Sequence, residues 1–242
     1  MTEDIRTQYK AKEILASIPS DRGELFIGYR PAAKPGRWRE QFHQTLERQP
    51  GRRLSRSVFE IAGSTKGSVV VEMVECASAR DAVEDLMETL AENQAAALDP
   101  GPESLQPAAF RHPEQAPAGL FFARANLRIS IMSQSKASDD VDEWLGLIQQ
   151  DLDLAPRDAR DSLEIRSGDT QDDAARLNYK LPWKVGPEGW FKFISKGASI
   201  ERGEKPGELV LGPSKAGVTV QGWVLERGRE SYKGEFKSTA GK

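Results

Sequence analysis

Residues 119–133, GLFFARANLRISIMS, limit the fold more than any other stretch of this chain. Phe121, Ala123, Ala125, Leu127, Ile129 and Ile131 alternate there with Arg124, Asn126, Arg128 and Ser130. Alternation with period two predicts a β-strand with one buried face and one face in water. On that reading Arg128→Leu is tolerated to within about 0.5 kcal/mol, whereas Leu127→Ala costs roughly 2–5 kcal/mol. The period then changes. Ser138 can cap a helix, Asp139 and Asp140 fall in its first turn, and Val141, Trp144, Leu145, Ile148 and Leu152 recur at three and four.

Upstream, SVFEIAG and SVVVEMVEC flank Ser64-Thr65-Lys66-Gly67, a short polar connection of hairpin type. A helix follows. Ser78 and Asp81 make a capping-box start, and Ala82, Val83, Leu86, Met87, Leu90 and Ala91 line its apolar side, which leaves Glu84, Asp85, Glu88 and Glu92 as the wet face. Residues 3–16 read as a short helix behind Thr2, and Leu25 to Tyr29 as a short strand. Trp38, Phe42 and Leu46 lie four apart, which is helical spacing, and Pro50-Gly51 ends that segment. Residues 97–118 hold five prolines and read as a long surface connection with a brief strand at Ala108–Arg111. The fold class expected for residues 1–154 is therefore α+β, a two-layer sandwich of an antiparallel sheet with its helices on one face.

Beyond the Asp153–Arg157 linker the helical period disappears. Leu163–Arg166, Arg176–Leu181, Gly189–Ile194, Glu208–Leu211, Gly217–Leu225 and Ser231–Lys237 are short strand candidates divided by Gly and Pro. Residues 155–242 thus read as an all-β sandwich, immunoglobulin-like in length and strand spacing although without a Cys–Trp–Cys arrangement.

Composition excludes some chemistries. The lone Cys76 rules out an internal disulfide framework or a multi-cysteine metal centre, and two histidines leave little for a histidine-rich one, so no cofactor is expected. No apolar run approaches the roughly 20 residues of a transmembrane helix. The polar start MTEDIRTQYKAKE is not a secretory leader and taken alone points to the cytoplasm, though a chain whose leader had been replaced by a new Met reads the same. Charge is uneven: residues 1–66 carry 13 Lys/Arg against 8 Asp/Glu, residues 67–154 carry 5 against 16, and residues 155–242 carry 16 against 13. The preferred explanation is internal, with the basic first segment lying over the acidic middle one.

Each candidate for chemistry has a plain alternative. His43 reads as a surface histidine, His112 as a solvated one in the proline-rich loop, and Cys76 as a buried structural thiol. Asp169, Asp172 and Asp173 read as an acidic turn, lacking the spacing of a calcium loop. Arg48, Arg52, Arg53 and Arg56 lack interleaved aromatics, which argues against nucleic acid. Trp183, Trp190 and Trp223 are the candidate ligand-binding residues, with Trp183, after Leu181-Pro182 at a strand end, the best placed for exposure.

The expectation is a non-enzymatic two-domain binding protein with the C-terminal sandwich as recognition module for a protein or glycan partner, suited to a bacterial envelope or to secretion. The alternatives are a hydrolase with its site in the N-terminal domain, built on carboxylates or on Cys76 with His43 or His112, and a cytosolic assembly or chaperone-like factor.

Overall fold

The computed structural model describes residues 7–32, 37–49, 52–63, 67–92, 98–112, 118–134, 138–168, 175–214 and 217–238. It is mostly β-structure, and the chain divides into two compact units, residues 1–17 with 31–153 and residues 18–30 with 154–242.

The first unit is built on a seven-stranded antiparallel sheet. Its strands are β2 (Trp38–Gln49), β3 (Arg52–Ile61), β4 (Ser68–Glu75), β5 (Asp99–Pro100), β6 (Ala109–Arg111), β7 (Gly119–Arg124) and β8 (Leu127–Ser133), in the order β2-β3-β4-β8-β7-β6-β5. Three helices accompany it: α1 (Ala11–Ser17), α2 (Ala79–Glu92) and α3 (Ser138–Asp153). The start of α2 is the capping box expected, Ser78 Oγ accepting from the Asp81 amide at 3.1 Å and the Ser78 amide donating to the Asp81 carboxylate at 3.1 Å. The apolar side expected of α3, from Val141 to Leu152, is buried.

Four readings of this unit are corrected. The alternating stretch is two strands, β7 and β8, joined through Ala125 and Asn126. The period-two pattern runs through the turn in sequence, but the faces exchange there, because the opposed residues Arg124 and Leu127 share a face while standing three apart. The helices lie on both faces of the sheet rather than one: Arg124, opposite Leu127, pairs with Asp153 of α3, whereas Arg128, opposite Ala123, pairs with Asp85 of α2. With helices on both faces β8 has no wet side, Arg128 being wholly buried and Ser130 nearly so.

Third, Trp38–Gln49 is a strand, not a helix. A spacing of four satisfies a period of two as well as one of 3.6, and pairing along the whole of β3 decides the outcome. A register shift between Glu40 and Phe42 turns Trp38 toward Trp144 of α3, and leaves Phe42 and Leu46 on the opposite face, each 47% exposed. Fourth, the proline-rich segment is more than a surface connection: besides the brief strand expected at Ala108–Arg111, which is β6, it forms β5 and buries Leu105 and Phe110. The connections expected at residues 64–66 and 50–51, and Thr2 with the start of the first helix, lie outside the described residues.

The second unit has two sheets. The first runs β1 (Arg22–Ile27), β12 (Gly189–Lys196), β15 (Val218–Glu226), β16 (Tyr232–Ser238) and β9 (Arg160–Asp161). The second runs β10 (Glu164–Ser167), β11 (Ala175–Lys180), β14 (Glu208–Leu211) and β13 (Ile200–Arg202). One apolar core takes Leu25, Phe193, Val220 and Val224 from the first sheet and Ile165, Leu177, Ile200 and Leu209 from the second. All six strand candidates of the C-terminal run are present, whereas β9 and β13 carry too few residues to show an alternation. The strand expected near Leu25 is β1, and its partner is β12, so it belongs to this unit.

Candidate functional site

Of the three tryptophans singled out, the structure brings only Trp183 to the surface, at 42% exposure. Trp190 is 1% exposed, set edge to face against Tyr29 with the Arg227 guanidinium 4.9 Å from its ring centre, and Trp223 is buried as well. Neither presents a ring to a ligand. Trp190 is fixed in a stack that ties β12 to the residues after β1.

Trp183 follows Leu181-Pro182 in the loop between β11 and β12 and meets Tyr232, the first residue of β16, edge to face with ring centroids 4.6 Å apart at 66°. The two rings form two walls of a cleft of about 300 Å³, whose remaining lining is Lys184, Glu226 and Arg229. Glu226 ends β15, and its backbone carbonyl accepts from the Arg229 amide at 3.1 Å across the turn that carries Gly228 at φ 70°. The same turn places the Arg229 guanidinium 3.2 Å from the Glu226 carboxylate. Gly186 packs beside it, and a Cβ there would meet Glu226 Oε1 at 2.2 Å and push the carboxylate aside. The cleft thus offers two apolar ring surfaces, one carboxylate acceptor and two cationic donors.

The other candidates are scattered. Cys76 is fully buried with Val74 and Ala82, and burial, reinforced by the nearby Asp85 charge, pushes its thiol up to about 12. His43 lies on the sheet face that carries Phe59, with Ser57 Oγ 2.8 Å from Nδ1 and Thr45 Oγ1 3.1 Å from Nε2. His112 is half-buried rather than solvated, edge to face on Phe121, and burial lowers its pKa. No thiol–imidazole pair is formed. Asp169, Asp172 and Asp173 lie outside the described residues, and among those described no three His, Cys, Asp or Glu side chains gather as a metal site.

What the sequence reading missed is a buried charge network beneath α2. Arg128 donates from Nε to Asp85 and from Nη1 to Glu72 and Ser130, each within 3.0 Å, and Arg52 reaches Asp85 at 3.2 Å and Glu88 at 3.4 Å. Asp85 therefore faces the sheet rather than water. Arg53 pairs with Glu75 on the opposite face, so Arg52 and Arg53 of the arginine run are each held by carboxylates of this unit. The signal available was the arginine itself: one placed between apolar residues of a central strand requires a carboxylate across from it.

No helix among the described residues is long and apolar enough to cross a membrane. Comparison with protein-family models, with curated proteins and with solved structures gives no match for this chain.

Proposed function

We propose that this chain is a non-enzymatic binding protein whose C-terminal β unit, from about residue 155 and joined by β1, is an immunoglobulin-like sandwich that recognises a glycan through the Trp183–Tyr232 cleft. The strand order supports the architectural half of this reading. Lettering β10 to β16 from A to G gives one sheet A-B-E-D and another C-F-G, the constant-type immunoglobulin arrangement, with β1 added beside C. The observation that carries the functional half is a large exposed indole braced by a tyrosine at the rim of a polar cleft. A sugar ring has an apolar face of C–H groups and a rim of hydroxyls. Two ring walls match the first, and Glu226, Arg229 and Lys184 match the second. The cleft volume lies at the small end of ligand sites, suited to one or two sugar units rather than to a broad protein interface. Glycan recognition also accords with an envelope or secreted setting.

The competing readings have less behind them. A hydrolase built on Cys76 needs an accessible thiolate, and an assembly factor working through opposite charges needs them unspent. Arg37 instead pairs with Asp140 and Glu143, and Arg52 with Asp85 and Glu88.

A glycan array followed by titration of the best binder against intrinsic tryptophan fluorescence tests the proposal. Binding should quench Trp183 and weaken on the order of tenfold or more in Trp183→Ala, with the thermal midpoint unchanged. Absence of any glycan binder, or binding indifferent to Trp183→Ala, overturns it, and capture of a protein through the same residue would transfer the cleft to peptide recognition.

A further inference from the structure

We propose that β2 of the first unit pairs antiparallel with β2 of a second copy of this chain, joining two seven-stranded sheets into one. β2 stands at the end of the sheet order, and among the described residues no strand pairs with its outer edge. Sheet edges are commonly blunted by charged side chains, above all lysine, by proline, by bulges or by shortness, and the charges of β2 lie outside Phe42–Leu46. β2 runs for 12 residues without a lysine or a proline. Its register shifts fall between Glu40 and Phe42 and between Glu47 and Gln49, so they bracket a regular stretch, Phe42–Glu47, instead of interrupting it.

That stretch carries Phe42 and Leu46, the exposed large apolar side chains of this unit, on one face. Phe42 continues an apolar row across the sheet, opposite Val58, which is opposite Val70, which is opposite Met132, and the last three are only half-buried. The occupant follows from symmetry. Opposed residues of an antiparallel pair lie on one face and turn their backbone groups the same way, so a two-fold axis must match positions an even number apart. An axis through Gln44 sets Phe42 of one copy against Leu46 of the other, twice. Axes through His43 or Thr45 set Phe42 or Leu46 against Gln44 and leave the apolar pair unmatched. The row from Met132 to Phe42 then runs on into Leu46 and Leu54 of the second copy.

Sedimentation equilibrium of the full chain over a wide concentration range should show a monomer–dimer equilibrium that weakens about tenfold or more in Phe42→Lys and in Leu46→Lys, with circular dichroism confirming that both variants fold. Under oxidation Gln44→Cys should cross-link to itself, since opposed Cα atoms lie within disulfide reach. Thr45→Cys should not, its two copies being offset by roughly 7 Å along the strands. Cys76 is buried and does not compete. A monomer at all concentrations, a dimer indifferent to both lysine variants, or cross-linking at Thr45→Cys but not at Gln44→Cys overturns the proposal.

Discussion

Arg128 shows how one side chain can reverse an expectation drawn from pattern. Alternation assigns it to water, yet it is fully buried and holds Asp85 at 2.9 Å and Glu72 at 2.9 Å. Replacing it with leucine strips Asp85 of its closest cation in a place where water cannot compensate, and breaking such a pair costs about 3 kcal/mol or somewhat more. Urea unfolding of Arg128→Leu should show that loss. Arg128→Leu combined with Asp85→Leu should recover much of it, giving a double-mutant coupling on the order of 1–3 kcal/mol. Equal small effects would mean that the network is solvated. Cys76 makes the complementary case. Its thiol is held protonated up to about 12, where an unburied one titrates near 9. Native protein at pH 8 should therefore ignore a disulfide reagent that labels it completely in denaturant. Because unfolding releases the thiol proton between those two values, stability should decline as pH rises through that window.

At the scale of elements, legibility followed the number of residues that vote for one period. Helix α3 presents five apolar residues at helical spacing and a capping serine, and α2 a capping box, so both could be read directly; Ser78→Ala should lower stability by about 1 kcal/mol in thermal unfolding. The longer strands of the second unit, marked off by Gly and Pro, are equally readable, whereas β9 and β13 are too short to be. β2 was not, because Trp38, Phe42 and Leu46 fit either period and only the partner strand β3 decides between them. Which face each helix covers was also out of reach, being fixed by Arg124 reaching Asp153 and Arg128 reaching Asp85 across tens of residues. Leu127 keeps its expected role in spite of the split strand. It is wholly buried, and Leu127→Ala should still cost roughly 2–5 kcal/mol by urea unfolding. Of the aromatic candidates, Trp183 could be picked out by its place after a strand end, whereas the partners of its cleft, Tyr232, Glu226 and Arg229, arrive through the β15–β16 turn and had no local signature.

For the whole molecule, part of the uneven charge along the chain is met by ion pairs that join the basic first segment to the acidic middle one, as Arg37, Arg52 and Arg53 do with Asp140, Asp85 and Glu75. Salt should accordingly affect stability of the first unit more than any association. The second unit is discontinuous, because β1 comes from residues 22–27 and pairs with β12 along its full length. A fragment of residues 154–242 should be poorly soluble, with the backbone edge of β12 bare, and a synthetic peptide of residues 18–30 should restore its solubility and thermal transition. A fragment that is stable and indifferent to the peptide would show β1 to be dispensable.

The same strand sets a schedule for birth on the ribosome. Gly23 emerges early, but the residue opposite it, Ser195, is made 172 positions later. At synthesis rates of about 5–20 residues per second, the greasy triplet Leu25-Phe26-Ile27 waits roughly 10–30 s for its mate while the other unit is being completed. On the nascent chain that segment stays without its partner strand for this interval, and slowing translation lengthens it.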